Sequence, residues 1–181
     1  MQAVTDEVKL MLDPNADPYP EPASDVALGT FGAADVADLN WVQLMNAYSC
    51  TECGRCTAEC PASQTGKKLS PRKIMMDTRD RLTEVGAALN KGEQPNANTL
   101  LDNYISRDEL WACTSCNACV EACPIAIDPL SIITDMRRYL VMEQSAAPTE
   151  LNNMMSNVEN NGAPWPFSQQ DRIAWREEIN I

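Results

Sequence analysis

The hydrophobic positions in the central part of this chain recur with the spacing of helices. Residues 33–49 carry an apolar residue at every third position, which predicts one amphipathic helix. The apolar set of this helix is Val36, Leu39, Val42 and Met45. We expect these residues to face inward, and we expect Trp41 and Tyr48 to pack close to the cysteine-rich segment that follows. The stretch after Pro71 predicts a longer helix, with Ile74, Met75, Leu82, Val85 and Leu89 on its inward face.

Polar residues that typically begin helices stand at three places. Ser70 precedes Pro71 and Asp128 precedes Pro129. In each pair the first residue suits the N-cap and proline suits the first helical position. Residues 106–109 begin with Ser and end with Glu, which is the pattern of a capping box. These signals predict that two of the helices start at matching points of the chain.

Two cysteine-rich segments share a single pattern. Both read C-x2-C-x2-C-x3-C-P, and together they contain all 8 cysteines of the chain. The first segment supplies Cys50, Cys53, Cys56 and Cys60; the second supplies Cys113, Cys116, Cys119 and Cys123. Two intervening residues allow a tight loop to present successive thiolates to neighbouring iron atoms, and soft thiolates suit iron and sulfide. The pattern therefore favours a metal cluster in each half.

This spacing is the ligand run of bacterial-type ferredoxins, in which three cysteines hold one [4Fe-4S] cluster and the fourth serves the other cluster. It implies two [4Fe-4S] clusters as cofactors. The implied ligands are Cys50, Cys53, Cys56 and Cys123 for one cluster, and Cys113, Cys116, Cys119 and Cys60 for the other.

Zinc and disulfides are the alternatives for these cysteines. Zinc ribbons pair two C-x2-C knuckles and need neither a third cysteine nor a C-P at a fixed offset. Disulfides need an oxidising compartment, and the chain shows no hydrophobic signal segment. No apolar run approaches the roughly 18 residues of a membrane span. We therefore expect a cytoplasmic protein that reaches the inner face of a membrane only through a partner.

The composition excludes several other functions. A formal charge of −12 argues against nucleic acid as a partner. The absence of histidine rules out a Rieske centre and a histidine base. The sequence also lacks the glycine-rich loops of nucleotide sites. We expect an electron carrier that has no catalytic residue of its own.

One stretch of the first half is basic. It contains Lys67, Lys68, Arg72, Lys73, Arg79 and Arg81 against Asp77 and Asp80, a net charge of +4. Such a run is most often a solvated helix face. It could equally neutralise the clusters or dock an acidic redox partner.

An internal repeat predicts the architecture. Residues 70–82 and 128–140 match in Pro, Ile, Asp, Arg and Leu, so the plan of helix, cysteine loop and capped helix occurs twice. With 52 residues of helical pattern between Cys60 and Cys113, we predict an all-α fold, an α-helical ferredoxin with pseudo-two-fold symmetry. Residues 1–32 are predicted to form an extended, acidic, proline-rich arm. Residues 33–145 then form the dicluster domain, and residues 146–181 form a helical extension whose aromatic residues Trp165, Phe167 and Trp175 either fold back on the core or dock a partner.

The doubled motif resembles a known family. Leu69-Ser70-Pro71-Arg72-Lys73-Ile74 after the first run and Trp111-Ala112-Cys113 at the second are similar to the iron–sulfur part of heterodisulfide-reductase-like oxidoreductases. The resemblance is greatest to the type that takes electrons from electron-transferring flavoprotein toward quinone. Longer members carry further cysteine-rich domains and often a membrane domain, so this chain is either a free-standing small subunit or the dicluster piece of a longer protein.

The resemblance implies an electron relay. A flavoprotein or other redox donor would supply electrons, and a quinone-linked or heterodisulfide-reductase-like partner would accept them within a larger complex. The alternative is a structural module in which clusters or zinc ions hold an assembly together.

Overall fold

The computed structural model describes residues 12–15 and 30–179. Most of the predicted N-terminal arm, residues 1–32, lies outside the described residues. The α-helices with assigned ends are α1 (Trp41–Ser49), α2 (Arg55–Ala58), α3 (Pro61–Gln64), α4 (Pro71–Asn90), α5 (Arg107–Ala112), α6 (Ala118–Glu121), α7 (Pro129–Met142), α8 (Thr149–Asn161) and α9 (Trp175–Glu178). Short 3-10 turns cover Val36–Asp38 and Gln169–Ile173. The described residues form no strand, which confirms the predicted all-α class.

The chain divides into two compact units, Met1–Glu143 and Gln144–Ile181. The first unit contains both cysteine segments. In the second unit, α8 ends at Gly162, which takes the left-handed conformation that glycine adopts without strain. The aromatic side chains of Trp165, Phe167 and Trp175 in that unit are exposed. No helix among the described residues has the length and apolar content needed to cross a membrane.

The three predicted helix starts are confirmed. The Ser70 side chain accepts a hydrogen bond from the backbone N–H of Lys73 at the start of α4. Asp128 accepts in the same way from Ser131 at the start of α7. Ser106 and Glu109 form the reciprocal bonds of a capping box at the start of α5. All three signals are local in sequence, which explains why the pattern alone could locate them.

The predicted helix over residues 33–49 is wrong in its start and in half of its buried face, although Val36 and Leu39 are buried as expected. Its α-helical part begins only at Trp41, because Asn40 caps it by accepting from the N–H groups of Val42 and Gln43. The buried side chains are those of Gln43 and Ala47, whereas Val42 and Met45 are exposed. Gln43 is drawn inward by a 2.6 Å hydrogen bond from its Nε2 to Asp135 of α7.

The two aromatic residues of α1 are exposed, and their packing near the first cysteine run stays a prediction. Trp41 is 71% exposed and Tyr48 is 56% exposed, so neither is packed in the core. The Tyr48 hydroxyl lies 3.2 Å from the Thr83 hydroxyl of α4. Both rings therefore belong to the surface of the first unit.

Helix α4 buries a different set of residues in its second half from the predicted one. Ile74 and Met75 are buried as expected, but Leu89 is 61% exposed. Arg81, only 1% exposed, occupies the interior, where it is paired with Asp35. A buried ion pair of this kind is invisible to hydrophobic periodicity, because its partner lies 46 residues away.

The core of the first unit forms where α4 packs against α7 and the segment Leu100–Tyr104. Its largest apolar members include Leu69, Ile74, Met75, Leu100, Ile105, Leu110, Leu130, Ile132, Ile133, Met136 and Leu140. Two buried polar contacts also connect the repeats. Gln43 of α1 binds Asp135 of α7, and Glu109 of α5 lies 3.0 Å from the Nζ of Lys73 in α4. Each capping-box side chain thus reaches the capped helix of the other repeat, as pseudo-two-fold symmetry requires.

Candidate metal centres

The eight cysteines border two hollows in the first unit. One cavity, of about 90 Å³, is bordered by Cys50, Cys53, Cys56, Cys119 and Cys123. The other, of about 20 Å³, is bordered by Cys60, Cys113, Cys116 and Cys119. A cavity needs only about 10–15 Å³ to admit one water molecule, so each hollow exceeds that minimum. All eight cysteines are free thiols.

The last cysteine of each run faces the cavity of the other run. Cys123 borders the first cavity and Cys60 borders the second. Contact between α2 and α6, the short helices inside the two runs, brings the loops together. Cys119 borders both cavities, so the two hollows are adjacent. Each cavity border includes three cysteines of one run and the last cysteine of the other, and the first border also includes Cys119; the three-plus-one division of ligands stays a prediction.

The cysteine loops share an unusual backbone. Glu52 and Ser115, which occupy the same position in the two runs, have positive φ angles of 60° and 56°. Two residues further along each loop, Gly54 and Asn117 are also left-handed, with φ angles of 82° and 63°. Such conformations are uncommon outside glycine and asparagine. They turn the chain sharply after each cysteine, so that successive thiols face one hollow.

The thiols differ in their surroundings. Burial raises the pKa of the Cys119 thiol to about 12. Burial likewise raises the pKa of Cys56. Cys116 is exposed, and a hydrogen bond involving the Ala118 backbone lowers its pKa. Because thiolates are the metal-binding form, loading a metal onto the buried thiols must release protons.

Two arginines hold the starts of the cysteine runs; the sequence pattern placed Arg79 in the basic stretch without this role and did not point to Arg137. Arg79 of α4 donates to the backbone carbonyl of Cys50, and Arg137 of α7 donates to that of Cys113. Both arginines occupy the same position in the repeat that matches residues 70–82 with 128–140. That shared Arg was the signal available in the sequence.

The basic stretch is largely paired within the chain. Arg81 binds Asp35, Lys73 lies between Asp77 and Glu109, and Arg79 binds Glu52. The exposed cations of the stretch are Lys67, Lys68 and Arg72, and Arg72 borders the first cavity. A solvated helix face therefore does not describe Arg79 and Arg81, whose partners Glu52 and Asp35 come from segments distant in sequence, nor Lys73, which pairs with Asp77 on the same helix and with Glu109.

The donor chemistry of the hollows fits iron–sulfur clusters. Eight free thiols, divided between two adjacent cavities, are soft ligands of the kind that clusters require. Within residues 12–15 and 30–179, no three His, Cys, Asp or Glu side chains are grouped as a ligand set for a single metal ion. The cysteines instead border the two hollows together with apolar residues such as Met75 and Ile133.

Comparison with known proteins identifies the same region. Residues 49–127 match the model of the 4Fe-4S dicluster domain. The chain is 33% identical to the probable iron-sulfur-binding oxidoreductase FadF of Bacillus subtilis, over 86% of this chain and 26% of that protein. It is 33% identical to the EtfAB:quinone oxidoreductase of Syntrophomonas wolfei, over 84% of this chain and 24% of that protein. With one of the subunits of the ferredoxin:CoB-CoM heterodisulfide reductase of Methanosarcina mazei, the identity is 30%, over 76% of this chain and 71% of that relative.

The coverage differs between these relatives. The chain spans about a quarter of the length of the first two proteins, but most of the heterodisulfide reductase subunit. The matched domain description fits the cofactor inferred from the cysteines, two [4Fe-4S] clusters.

Proposed function

Because the chain belongs to the heterodisulfide-reductase-like iron–sulfur proteins that carry a 4Fe-4S dicluster domain, we propose that it relays electrons between two redox partners. When bound, each [4Fe-4S] cluster supplies reversible uptake of an electron at a potential that its surroundings set. The chain contributes the ligands, the separation of the two sites and their access to solvent.

The adjacency of the two cavities is the observation that carries this proposal. Cys119 borders both of them, so the ligand sets lie within one side chain of each other. A protein that merely anchored two metal ions would have no need to place the two sites side by side. Adjacency is what transfer between the sites requires.

The proposed ligand sets follow the crossed grouping. We assign Cys50, Cys53, Cys56 and Cys123 to the first site and Cys113, Cys116, Cys119 and Cys60 to the second. The cavity borders support this division, since each includes three cysteines of one run and the last cysteine of the other, with Cys119 shared between the two borders.

Each site has one cysteine at the surface. Cys53 and Cys116, the second cysteines of the two runs, are exposed, whereas Cys60 and Cys119 are buried. A partner protein can therefore approach either site from solvent at its exposed cysteine. This arrangement supports one entry point and one exit point.

We propose a flavoprotein as donor and a quinone-linked or heterodisulfide-reductase-like protein as acceptor. The names of the relatives support this choice, because one is called an EtfAB:quinone oxidoreductase and another is a heterodisulfide reductase component. We further propose that the protein works in the cytoplasm, at the inner face of a membrane where such a partner holds it.

Anaerobic reconstitution with iron and sulfide tests the proposal. We expect about eight irons per chain and visible absorption that bleaches with dithionite, as two [4Fe-4S] clusters require. Reduced electron-transferring flavoprotein, added as the donor, should bleach the same absorption. If the protein binds zinc in place of iron and does not respond to reductant, the relay is contradicted and the alternative, a structural module, is favoured.

A further inference from the structure

The two cysteine runs are held by equivalent arginines, but the charges beside them are not equivalent. Arg79 donates to the carbonyl of Cys50 and its guanidinium is paired with the carboxylate of Glu52. Arg137 donates to the carbonyls of Leu110 and Cys113 and lies 3.5 Å from the hydroxyl of Ser115. Glu52 and Ser115 occupy the same loop position with the same left-handed backbone. The repeat thus differs by one negative charge at matched places.

The Arg137 charge is balanced differently from the Arg79 charge. Its guanidinium carbon lies 5.1 Å from the centre of the Trp111 ring, a cation–π contact. Burial lowers the pKa of Arg137, and attraction to the Cys113 thiolate opposes this effect. Among the residues that the structure describes, no carboxylate forms an ion pair with Arg137, whereas Arg79 has Glu52 and, at 3.8 Å, Asp80.

We propose that Arg79 and Arg137 are positioning residues that tune the two cluster sites, and that Glu52 and Ser115 make this tuning unequal. The inference rests on the proposed function, because it assumes that each site holds a cluster. A positive charge beside a cluster stabilises its reduced, more negative form, and a carboxylate beside it does the opposite. Glu52 therefore cancels at the first site an effect that Arg137 exerts in full at the second.

Other charged groups also lie near the two sites, but they are the same in wild type and in every variant. Arg72 borders the first cavity, and Asp128 interacts with Cys119 at the second. For this reason the inference concerns the shift that each substitution causes at its own site, and it assigns no order to the two unmodified potentials.

Exchanging the residues at the matched loop position tests the inference. In the reconstituted full-length protein, Glu52→Ser should raise the reduction potential of one cluster, and Ser115→Glu should lower that of the other. Redox titration followed by EPR measures both steps in each variant. The left-handed backbone accommodates Glu at position 52 and Ser at position 115, so each exchange introduces a residue that the fold already carries at the equivalent place.

Arginine variants supply the second arm. Arg137→Gln should lower the reduction potential of the same cluster as Ser115→Glu. Arg137→Lys should keep most of the wild-type potential, since lysine keeps the positive charge. A purely structural role would change the iron content or broaden the EPR signals and leave the potential of the retained cluster unmoved. If Arg137→Gln fails to assemble the second cluster, the two loop exchanges still decide.

The outcomes separate this inference from the relay itself. Failure to bind about eight irons would overturn the proposed function. If both clusters assemble and neither exchange changes a reduction potential, the inference is overturned and the relay stands. The same holds if both exchanges shift the potential of the same cluster. Opposite shifts in two different steps would support it.

Discussion

At the scale of single residues, the most unusual feature of the fold is a charge in the core. Arg81 is 1% exposed and donates to both carboxylate oxygens of Asp35, with bonds of 2.7–3.2 Å. Glu84, Asn96 and the carbonyl of Asn98 complete its partners. Asp35 also accepts from the N–H of Leu100, which links the start of the first repeat to the start of the second.

Removing one partner of this buried pair should be costly. We expect Asp35→Asn to lower the free energy of unfolding by about 3 kcal/mol, because a buried guanidinium loses its principal counter-charge. Asp80→Asn is the matched control. Asp80 also faces an arginine, Arg79, but it is exposed, so its loss should cost less than about 1 kcal/mol. Urea denaturation of both variants measures the difference, and equal losses would contradict a special role for Asp35.

The same pair predicts a pH dependence. Burial alone would raise the pKa of Asp35, but its bonds to Arg81 dominate and hold the pKa below the usual value. The stabilisation is therefore present above the unfolded pKa of about 3.9 and is lost as pH falls through the lower folded pKa. We expect the stability gap between wild type and Asp35→Asn to be constant at neutral pH and to narrow below about pH 4. A gap that widens with acid would show the opposite sign.

A cysteine variant tests the crossed ligand sets. Cys60 lies in the first run but borders the second cavity with Cys113 and Cys116. We expect Cys60→Ser to alter the EPR signal of the cluster held by the second run, and Cys123→Ser to alter that of the first. Ser115→Glu identifies the second-run signal independently. A Cys60→Ser protein with only its first-run signal changed would refute the crossed assignment.

At the scale of elements, the starts of the helices are the best specified features of the fold. The Ser70 hydroxyl caps α4 and also lies 2.9 Å from the Thr57 hydroxyl in the first cysteine run. One cap therefore fixes both a long helix and the loop beside it. We expect Ser70→Ala to cost about 1 kcal/mol of stability, the usual loss for a cap.

The control for this prediction lies in the other unit. Ser168 caps the short turn Gln169–Ile173 by the same kind of bond. Ser168→Ala should leave the unfolding of the cluster-bearing unit unchanged, because its cap bond to Gln170 lies within the second unit. Differential scanning calorimetry measures the Tm of the cluster-bearing unit in both variants. Equal Tm shifts in Ser70→Ala and Ser168→Ala would contradict a specific role of the Ser70 cap in this unit.

What the sequence could reveal about the elements follows from the range of the interactions. The caps at Ser70, Ser106 and Asp128 are satisfied within three residues, so the sequence pattern located them. The buried face of α1 depends on Asp135, which lies 92 residues from its partner Gln43. Because Gln43 is polar and Val42 is apolar, hydrophobic periodicity selected the wrong side of that helix. Long-range polar contacts of this kind have no local signature.

At the scale of the whole molecule, the two repeats depend on each other. Each cavity takes a cysteine from the opposite run, and each capping box binds a helix of the opposite repeat. The strict spacing of the cysteines was enough to predict two cluster sites, and their crossed grouping stays a prediction that the Cys60→Ser and Cys123→Ser variants test. The contacts by which Arg79 and Arg137 hold the runs were missed, because an arginine on a helix has no local signal for a distant carbonyl acceptor.

This mutual dependence predicts how the protein responds to loss of its metal. Thiolate bonds to a cluster exist only in the folded chain, so loading should stabilise the first unit by at least about 3 kcal/mol. Removing iron with a chelator under anaerobic conditions should therefore lower Tm for the unit of residues 30–143 and leave the transition of the second unit in place. Since Cys119 borders both cavities, loss of one cluster should also destabilise the other, and iron should leave in a single cooperative phase. Stepwise release of four irons at a time, with no change in Tm at the first step, would show that the two sites are independent.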